Sequence, residues 1–186
     1  MCKKPSPSGL THLTCKNKNS PEGLITLLDY RDKKVAELII TGKYYFVKKI
    51  YSTLGKILAE HLKNNFPFLT KQYTLTPIPL HWMRQNWRGF NQTELLGLEI
   101  QKHLPVHYEP TLVRAKFTKT QKDLKKEARE ANVQSAFQLA DKTQISGQNF
   151  ILIDDVVTTG STILEATKIL KKNGASEVWC LAVARD

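Results

Sequence analysis

A chain of 186 residues with 41% hydrophobic residues is long enough for one domain with a sizeable core and a small appendage. It has only three cysteines, no run of about 18 apolar residues and no apolar segment typical of a signal peptide. These features argue against membrane-spanning and secreted, disulfide-rich classes, so we expect a cytoplasmic protein without membrane insertion. The net charge of +11 favours phosphate, pyrophosphate or nucleic acid as partners, although an ordinary basic surface fits it as well.

Residues 1–25 are predicted to form a basic appendage to a main domain that spans residues 26–186. Two prolines and a glycine near the start of this appendage argue against a helix there. Cys2, His12 and Cys15 are usable zinc ligands, but a closed structural zinc site needs four ligands. Two interpretations therefore stay open: the remnant of a zinc ribbon, and a basic tail without metal.

Two amphipathic helices are predicted next. The first covers residues 33–41, and Gly42 is predicted to end it. The second covers residues 45–64 and has a clearer apolar stripe. This stripe consists of Val47, Ile50, Leu54, Ile57, Leu58, His61 and Leu62, and His61 is interpreted as a packed helix residue.

A strand predicted over residues 72–76 leads into a turn with two prolines, which cannot continue a central ladder. Residues 81–92 follow and combine arginines with tryptophans. Arg84 and Arg88 suit pyrophosphate or a nucleic-acid backbone, and the tryptophans suit stacking on a base. The alternative is a hydrophobic corner with solvated arginines.

A further helix is predicted over residues 93–104, and a basic stretch over residues 114–130 comes after it. The basic stretch has too few apolar side chains to bury one side of a helix, so we predict a loop that is poorly ordered without ligand. A basic linker without a specific role is the alternative.

The stretch with the strongest chemical signal begins with the apolar run Phe150–Ile153, which is typical of a parallel strand buried on both faces. Asp154 and Asp155 follow, then the hydroxyl-rich loop Thr158–Thr162 and an amphipathic helix that Gly174 is predicted to end. Ligands of open parallel sheets bind beyond the carboxyl ends of the strands, where a helix N-terminus also attracts anions.

Carboxylates accept hydrogen bonds from sugar hydroxyls, whereas the loop offers N–H and hydroxyl donors to a phosphate. The combination predicts a site for a ribose phosphate. In the alternative interpretation, Ser161 or Thr162 only caps the helix and both aspartates are solvated.

The whole string resembles the signature of type I phosphoribosyltransferases. This resemblance implies that two catalytic aspartates hold the ribose hydroxyls of phosphoribosyl pyrophosphate (PRPP) and that the loop wraps the 5′-phosphate. It also implies Mg²⁺ between pyrophosphate and sugar, and displacement of pyrophosphate from the anomeric carbon by a nitrogen nucleophile of an unknown acceptor. The implied PRPP-binding residues are Asp154, Asp155, Val156, Val157, Thr158, Thr159, Gly160, Ser161 and Thr162.

An ordered set of shorter motifs resembles the competence protein ComF family. It consists of Pro-x-Pro-Leu, Arg84, Arg-Gly-Phe-Asn-Gln, Arg114, Thr-x-x-Gln, Leu124, Arg-x-x-Asn-Val and Ala136-Phe137, besides Tyr30 and Lys43-Tyr44. The resemblance implies a zinc-ribbon origin for the appendage, and an accessory role in DNA uptake with single-stranded DNA and uptake machinery as partners. The phosphoribosyltransferase resemblance implies a pyrophosphate loop at Pro77, Ile78, Pro79 and Leu80 with Arg84 and Arg88, and a closing loop with Lys116, Thr120, Gln121 and Arg129.

We therefore predict an α/β fold of the type I phosphoribosyltransferase kind, with a mostly parallel sheet flanked by helices. The favoured function is a PRPP-binding protein that transfers or recognises a phosphoribosyl group with Mg²⁺. The alternatives are a non-catalytic accessory protein of natural transformation that binds single-stranded DNA, and a PRPP-sensing regulator.

Overall fold

The computed structural model of the protein describes residues 6–115, 135–140 and 145–186. Its main feature is a five-stranded parallel sheet with strand order β1-β7-β6-β2-β3, beside a separate two-stranded antiparallel hairpin of β4 and β5. The strands are β1 (Gly23–Asp29), β2 (Tyr73–Pro77), β3 (His107–Tyr108), β4 (Leu112–Arg114), β5 (Phe137–Leu139), β6 (Asn149–Val157) and β7 (Glu177–Arg185). The predicted mostly parallel sheet is confirmed.

Helices cover both faces of this sheet and separate two apolar clusters. The helices are α1 (Lys33–Tyr44), α2 (Lys48–Asn65), α3 (Trp82–Arg88), α4 (Gln92–His103) and α5 (Ser161–Lys172). Helices α1, α2 and α4 bury apolar side chains against one face, which includes Ile151 and Ile153 of β6. Helix α5 and the hairpin cover the other face, which includes Phe150 and Leu152. Because β6 is buried on both faces, its apolar run is continuous rather than alternating.

Two predicted helix boundaries differ from the structure near Gly42. Helix α1 continues through Gly42, which is buried against Tyr51. The contact is so close that an added Cβ at Gly42 would lie 2.8 Å from the Tyr51 hydroxyl. Helix α2 begins at Lys48 instead of residue 45, since Phe46 has a left-handed φ of 60° that interrupts helical geometry. The two helices are thus joined by a tight turn of exposed side chains.

The arginine- and tryptophan-rich segment contains a helix that the sequence analysis did not predict. His81 caps α3 by accepting a hydrogen bond from the Met83 N–H, and Gly89 ends the helix with a left-handed φ of 73°. The strand before it also runs one residue further than predicted, because Pro77 still pairs with Ile153 at the end of β2.

The predicted boundary between appendage and main domain falls inside β1, whose residues Gly23–Asp29 pair in parallel with β7. The apolar residues of β1 therefore belong to the sheet. Before β1, Leu10 makes a single antiparallel bridge to Gly23. Over the part of the chain that the structure describes, no helix has the length and apolar character needed to cross a membrane.

Candidate functional site at the carboxyl edge of the sheet

Asp154 and Asp155, called the acid pair below, lie within the last part of β6 rather than after it. Successive side chains of a strand point to opposite faces, so the two carboxylates have different neighbours. Each carboxylate accepts a hydrogen bond from the next backbone N–H, at 2.9 Å for Asp154 and 2.8 Å for Asp155. The acid pair is therefore held by local backbone contacts as well as by the sheet.

On the face covered by α1 and α2, Asp155 is almost fully buried and forms an ion pair with Lys43. The Lys43 Nζ lies 2.6 Å from Asp155 Oδ2, and Lys43 comes from the last turn of α1. Tyr51 of α2 is completely buried nearby, and its hydroxyl has no hydrogen-bond partner among the described residues. Burial, followed by the charge of Asp155, raises the pKa of the Tyr51 hydroxyl.

On the opposite face, Asp154 is half-buried beside the hairpin and α5. Burial, together with the nearby charge of Asp155, raises the pKa of the Asp154 carboxyl to about 7. Arg114, at the end of β4, interacts electrostatically with Asp154 and lies over the Phe137 ring of the paired strand β5. Burial and the charge of Arg84 lower the pKa of the Arg114 guanidinium to about 10.

The loop Thr158–Thr162, called the phosphate loop below, joins β6 to the first residues of α5. Gly160 is the N-cap of α5 and has a left-handed φ of 79° that favours glycine. The Thr159 and Ser161 hydroxyls lie 2.6 Å apart, and the Ser161 N–H donates to Thr159 Oγ1. The predicted helix therefore begins as expected, with its N-terminal partial positive charge at the carboxyl edge of the sheet.

The proline turn Pro77–Leu80 lies at the same edge, because β2 pairs with β6. The Ile78 N–H donates to the Ile153 carbonyl at 2.9 Å. The Ile78 carbonyl in turn accepts from Asn91 Nδ2 at 3.1 Å and from Thr93 Oγ1 at 2.7 Å. The first residues of α4 thus fix the turn, a role that residue types alone did not reveal.

Three arginines, two from α3 and one from β4, interact near the acid pair. Burial and the neighbouring Arg88 lower the pKa of the Arg84 guanidinium, and Arg114 is coupled to Arg84 from the other side. The Arg88 Nη1 donates to Gln92 Oε1 at 2.7 Å. Like charges held this close together repel, so the arrangement favours a bound anion. Arg84 and Arg88 were predicted site residues, whereas Arg114, Lys43 and Tyr51 were not.

An exposed aromatic surface, formed by Tyr44, Phe46, Trp82 and Trp87, lies along the α1–α2 turn and α3. The Trp87 ring centroid is 6.2 Å from that of Tyr44 and 5.6 Å from that of Phe46, both edge-to-face. Trp82 and Trp87 are 64% and 60% exposed. Exposed tryptophans at this density mark a binding surface more often than a folding requirement.

Some predicted site residues cannot be compared with the structure. The closing-loop residues Lys116, Thr120, Gln121 and Arg129 lie outside the described residues, as does Cys2. Cys15 is exposed with a free thiol. No three His, Cys, Asp or Glu side chains are grouped closely enough to hold a metal ion within residues 6–115, 135–140 and 145–186. Cys2, one of the three proposed zinc ligands, lies outside these ranges, so the zinc hypothesis stays a prediction.

Comparisons with known proteins agree with this architecture. Residues 102–186 match the family model described as the phosphoribosyl transferase domain. The chain is 33% identical over 185 residues to the DNA utilization protein YhgH of Escherichia coli (strain K12), which covers 94% of this chain and 80% of that protein. It is 38% identical over 113 residues to competence protein F of Haemophilus influenzae, covering 60% of this chain and 49% of that one. The chain is also 35% identical over 162 residues to competence protein ComFC of Bacillus subtilis (strain 168). This match covers 87% of the present chain and 59% of ComFC.

Proposed function

Because the chain belongs to the ComF family of the type I phosphoribosyltransferase superfamily, we propose that it binds PRPP with Mg²⁺ and transfers or recognises its phosphoribosyl group. One observation carries the proposal: a buried acid pair, a hydroxyl-rich helix N-cap loop and a group of arginines meet at the carboxyl edge of one parallel sheet. This edge is where ligands of open parallel sheets bind.

Each part of PRPP has a chemical counterpart in this arrangement. The acid pair accepts hydrogen bonds from the ribose hydroxyls, and the phosphate loop at the start of α5 receives the 5′-phosphate. The pyrophosphate lies toward the proline turn, with Arg84, Arg88 and Arg114 around it. Burial and the charge of a neighbouring arginine lower the pKa of Arg84 and of Arg114, so a bound anion beside them would be stabilised.

The donor set also fits Mg²⁺ that arrives with its ligand. Carboxylate and hydroxyl oxygens are the hard donors that Mg²⁺ prefers, and this ion is usually bound through few protein groups together with substrate phosphates. The acid pair and the phosphate-loop hydroxyls would hold such an ion together with oxygens of the substrate, and it would supply positive charge to stabilise the departing pyrophosphate.

In the transfer reaction, a nitrogen nucleophile forms a bond to the anomeric carbon while the bond from that carbon to the pyrophosphate oxygen breaks. The electron pair of the broken bond leaves with pyrophosphate, and the proton released by the nucleophile passes to the departing pyrophosphate or to water. The protein contributes by orientation and by stabilising charge: the acid pair faces the electron-poor sugar, and the arginines face the departing anion.

Isothermal titration with PRPP and Mg²⁺ tests the proposal. Asp154→Asn and Asp155→Asn should each weaken binding about tenfold or more, because a hydrogen bond to a charged group contributes roughly 1.5–3 kcal/mol. Glu60→Gln is the matched control, since it neutralises an exposed carboxylate on α2 away from the site. Unchanged PRPP affinity in both aspartate variants would remove the ribose assignment.

A second candidate function is binding of single-stranded DNA, and the aromatic surface specifically favours it. Stacking of bases on aromatic side chains beside basic residues is the usual way to hold a single strand without sequence preference. The relatives named DNA utilization protein and competence protein support a role in DNA uptake. The nucleotide site is then regulatory rather than catalytic.

Fluorescence anisotropy with a labelled oligothymidine distinguishes this candidate. Trp87→Ala should weaken binding by about 1–3 kcal/mol with little change in salt dependence, because it removes a stacking contact. Arg84→Ala should lower the salt slope by about one unit, because it removes a phosphate contact. Tyr45→Phe, which changes an exposed ring only at its hydroxyl, is the control. Absence of oligonucleotide binding by the unaltered protein would reject this candidate.

A further inference from the structure

Both carboxylate oxygens of Asp155 already have partners. Oδ1 accepts from the Val156 N–H at 2.8 Å, and Oδ2 is paired with Lys43 at 2.6 Å. The Asp155 side chain is only 5% exposed, whereas the Lys43 side chain is 22% exposed. A ribose hydroxyl that donates to this buried Oδ2 therefore competes with Lys43 for it, and Lys43, whose flexible chain is the more exposed of the two, is the group that can move away.

Displacement of Lys43 is unfavourable unless another anion receives its charge, because a buried carboxylate that loses its cation is strongly destabilised. An uncharged sugar or a sugar monophosphate bound at the phosphate loop brings no such anion to this side of the site. A pyrophosphate on the anomeric carbon does, since the anomeric carbon adjoins the hydroxyl-bearing carbons of the ribose. The ion pair thus favours ligands that bring this anion over ligands that lack it.

Tyr51 offers a replacement partner for Asp155. Its side chain is completely buried, and its hydroxyl lies against Gly42, the residue that precedes Lys43 in α1. The hydroxyl interacts electrostatically with both Asp155 and Arg88. Of these two groups only Asp155 has acceptor atoms, so a movement of the hydroxyl toward Asp155 is the one that could end in a hydrogen bond. An unpaired buried hydroxyl is costly, which gives the exchange a driving force.

We propose that Lys43 and Tyr51 exchange as partners of Asp155 and thereby select ribose ligands that carry an anomeric pyrophosphate. In the free protein Lys43 holds Asp155. In the complex Lys43 binds the pyrophosphate, the ribose hydroxyl takes its place, and the Tyr51 hydroxyl donates to the carboxylate. Lys43 is thus a specificity-determining residue and Tyr51 a positioning residue, an assignment that rests on the function proposed above.

The experiment compares the Kd of PRPP and of ribose 5-phosphate, both with Mg²⁺, in the unaltered protein and in variants. Lys43→Met should weaken PRPP binding about tenfold or more, because a charged contact is lost, while ribose 5-phosphate binds equally well or better. The Kd of ribose 5-phosphate divided by the Kd of PRPP should therefore fall in this variant. Lys43→Arg should restore much of the preference for PRPP. Lys43→Gln, which can still donate to Asp155, replaces the methionine variant if the latter does not fold.

Tyr51→Phe tests the second half of the exchange. The phenylalanine has the same shape and removes an unpaired hydroxyl, so Tm should not fall. Both ligands should bind several-fold more weakly and by similar factors, since Tyr51 supports Asp155 in either complex. Lys49→Met and Tyr45→Phe are matched controls, because both side chains are exposed on the α1–α2 side of the molecule.

The outcomes separate this inference from the proposed function. If the unaltered protein binds PRPP and Asp155→Asn weakens that binding, but Lys43→Met weakens both ligands equally, the selection by Lys43 is wrong. Full PRPP affinity in Tyr51→Phe likewise rejects the role of Tyr51. If the unaltered protein binds neither ligand, the proposed function fails and the exchange fails with it.

Discussion

Asp154 and Asp155 are adjacent in sequence, yet they occupy two different electrostatic environments. Asp155 lies on the face of the sheet that α1, α2 and α4 cover, where its carboxylate forms an ion pair with Lys43. Asp154 lies on the face of the hairpin and α5, where burial and the charge of its neighbour raise the pKa of its carboxyl. The alternation of a β-strand is the cause, because it sends consecutive side chains to opposite faces. The chain therefore contributes one charged acid with its own counter-ion and one acid whose charge is unfavourable in the folded protein.

Removal of the counter-ion should have the largest effect on stability. Lys43→Met leaves Asp155 buried and uncompensated, so we expect the free energy of unfolding to fall by about 3 kcal/mol, as for other broken buried pairs. Urea denaturation at neutral pH measures this loss. The double variant Lys43→Met with Asp155→Asn should recover most of the stability, since it removes both charges.

Lys49→Met provides the baseline, because Lys49 is exposed and surface substitutions usually change stability by less than about 0.5 kcal/mol. Equal stability of the Lys43 and Lys49 variants would mean that Asp155 does not depend on its ion pair. The two aspartates would then not differ in whether a counter-ion stabilises their charge.

The other acid should show the opposite behaviour. The pKa of Asp154 is raised from 3.8 to about 7, so the folded protein binds this proton more tightly than the unfolded chain does. Stability contributed by Asp154 therefore falls as pH rises from about 4 to about 7. Asp154→Asn removes the unfavourable charge and should raise the free energy of unfolding at pH 8 by about 1–2 kcal/mol. This is less than roughly 1.4 kcal/mol per pKa unit would give for the whole shift, because solvent screens the half-buried carboxylate.

Denaturation at pH 4 supplies the control for this prediction, because pH 4 is close to the pKa of the unfolded Asp154 and little of the loss has developed there. A gain of the same size at both pH values would point to packing instead of charge. Ligand binding should follow the reverse trend: PRPP affinity of the unaltered protein should rise between pH 6 and pH 8, and Asp154→Asn should lack the part of this rise that comes from Asp154.

Gly42 of α1 packs against Tyr51, which is a neighbour of Asp155. An added Cβ would lie 2.8 Å from the Tyr51 hydroxyl and 2.9 Å from its Cζ, both inside contact distance. Overpacking of this kind costs about 1–3 kcal/mol, and the better helix propensity of alanine offsets up to about 1 kcal/mol of it. We therefore expect Gly42→Ala to lower the free energy of unfolding by about 1 kcal/mol in urea denaturation. A stabilised variant would show that Tyr51 has room to move.

How far the sequence could predict this site depends on whether the relevant contacts are local. Strand β6, the acid pair, the phosphate loop and α5 are consecutive, so periodicity and residue type were sufficient to predict the strand, the turn and the helix. The partners of Asp155 come from α1 and α2, far away in sequence, and no local pattern indicates that Lys43 reaches a carboxylate. Gly42 was likewise interpreted as a helix end, because its contact with Tyr51 exists only after the two helices pack.

The smallest effect on ligand binding is expected at Gly160, whose backbone geometry is nearly the same as that of Gly147. Gly160 has φ 79° at the N-cap of α5, and Gly147 has φ 75° in a turn before β6. An added Cβ at Gly147 meets nothing within 4 Å, so Gly147→Ala measures the cost of the left-handed backbone alone. That cost is about 1–2 kcal/mol for an ordinary residue, and urea denaturation should reveal a similar loss in Gly160→Ala.

Only one of these two variants should affect the ligand. The backbone at Gly160 directs the phosphate loop and the N–H groups that open α5, so a shift there moves the donors away from the 5′-phosphate. Gly147 lies at the opposite end of β6 from the acid pair, where a shift reaches no ligand group. We expect Gly160→Ala to weaken PRPP binding several-fold in calorimetry while Gly147→Ala binds normally. If both variants lose stability and both keep full affinity, the 5′-phosphate is not held by this loop, and the acid pair alone would have to orient the ribose.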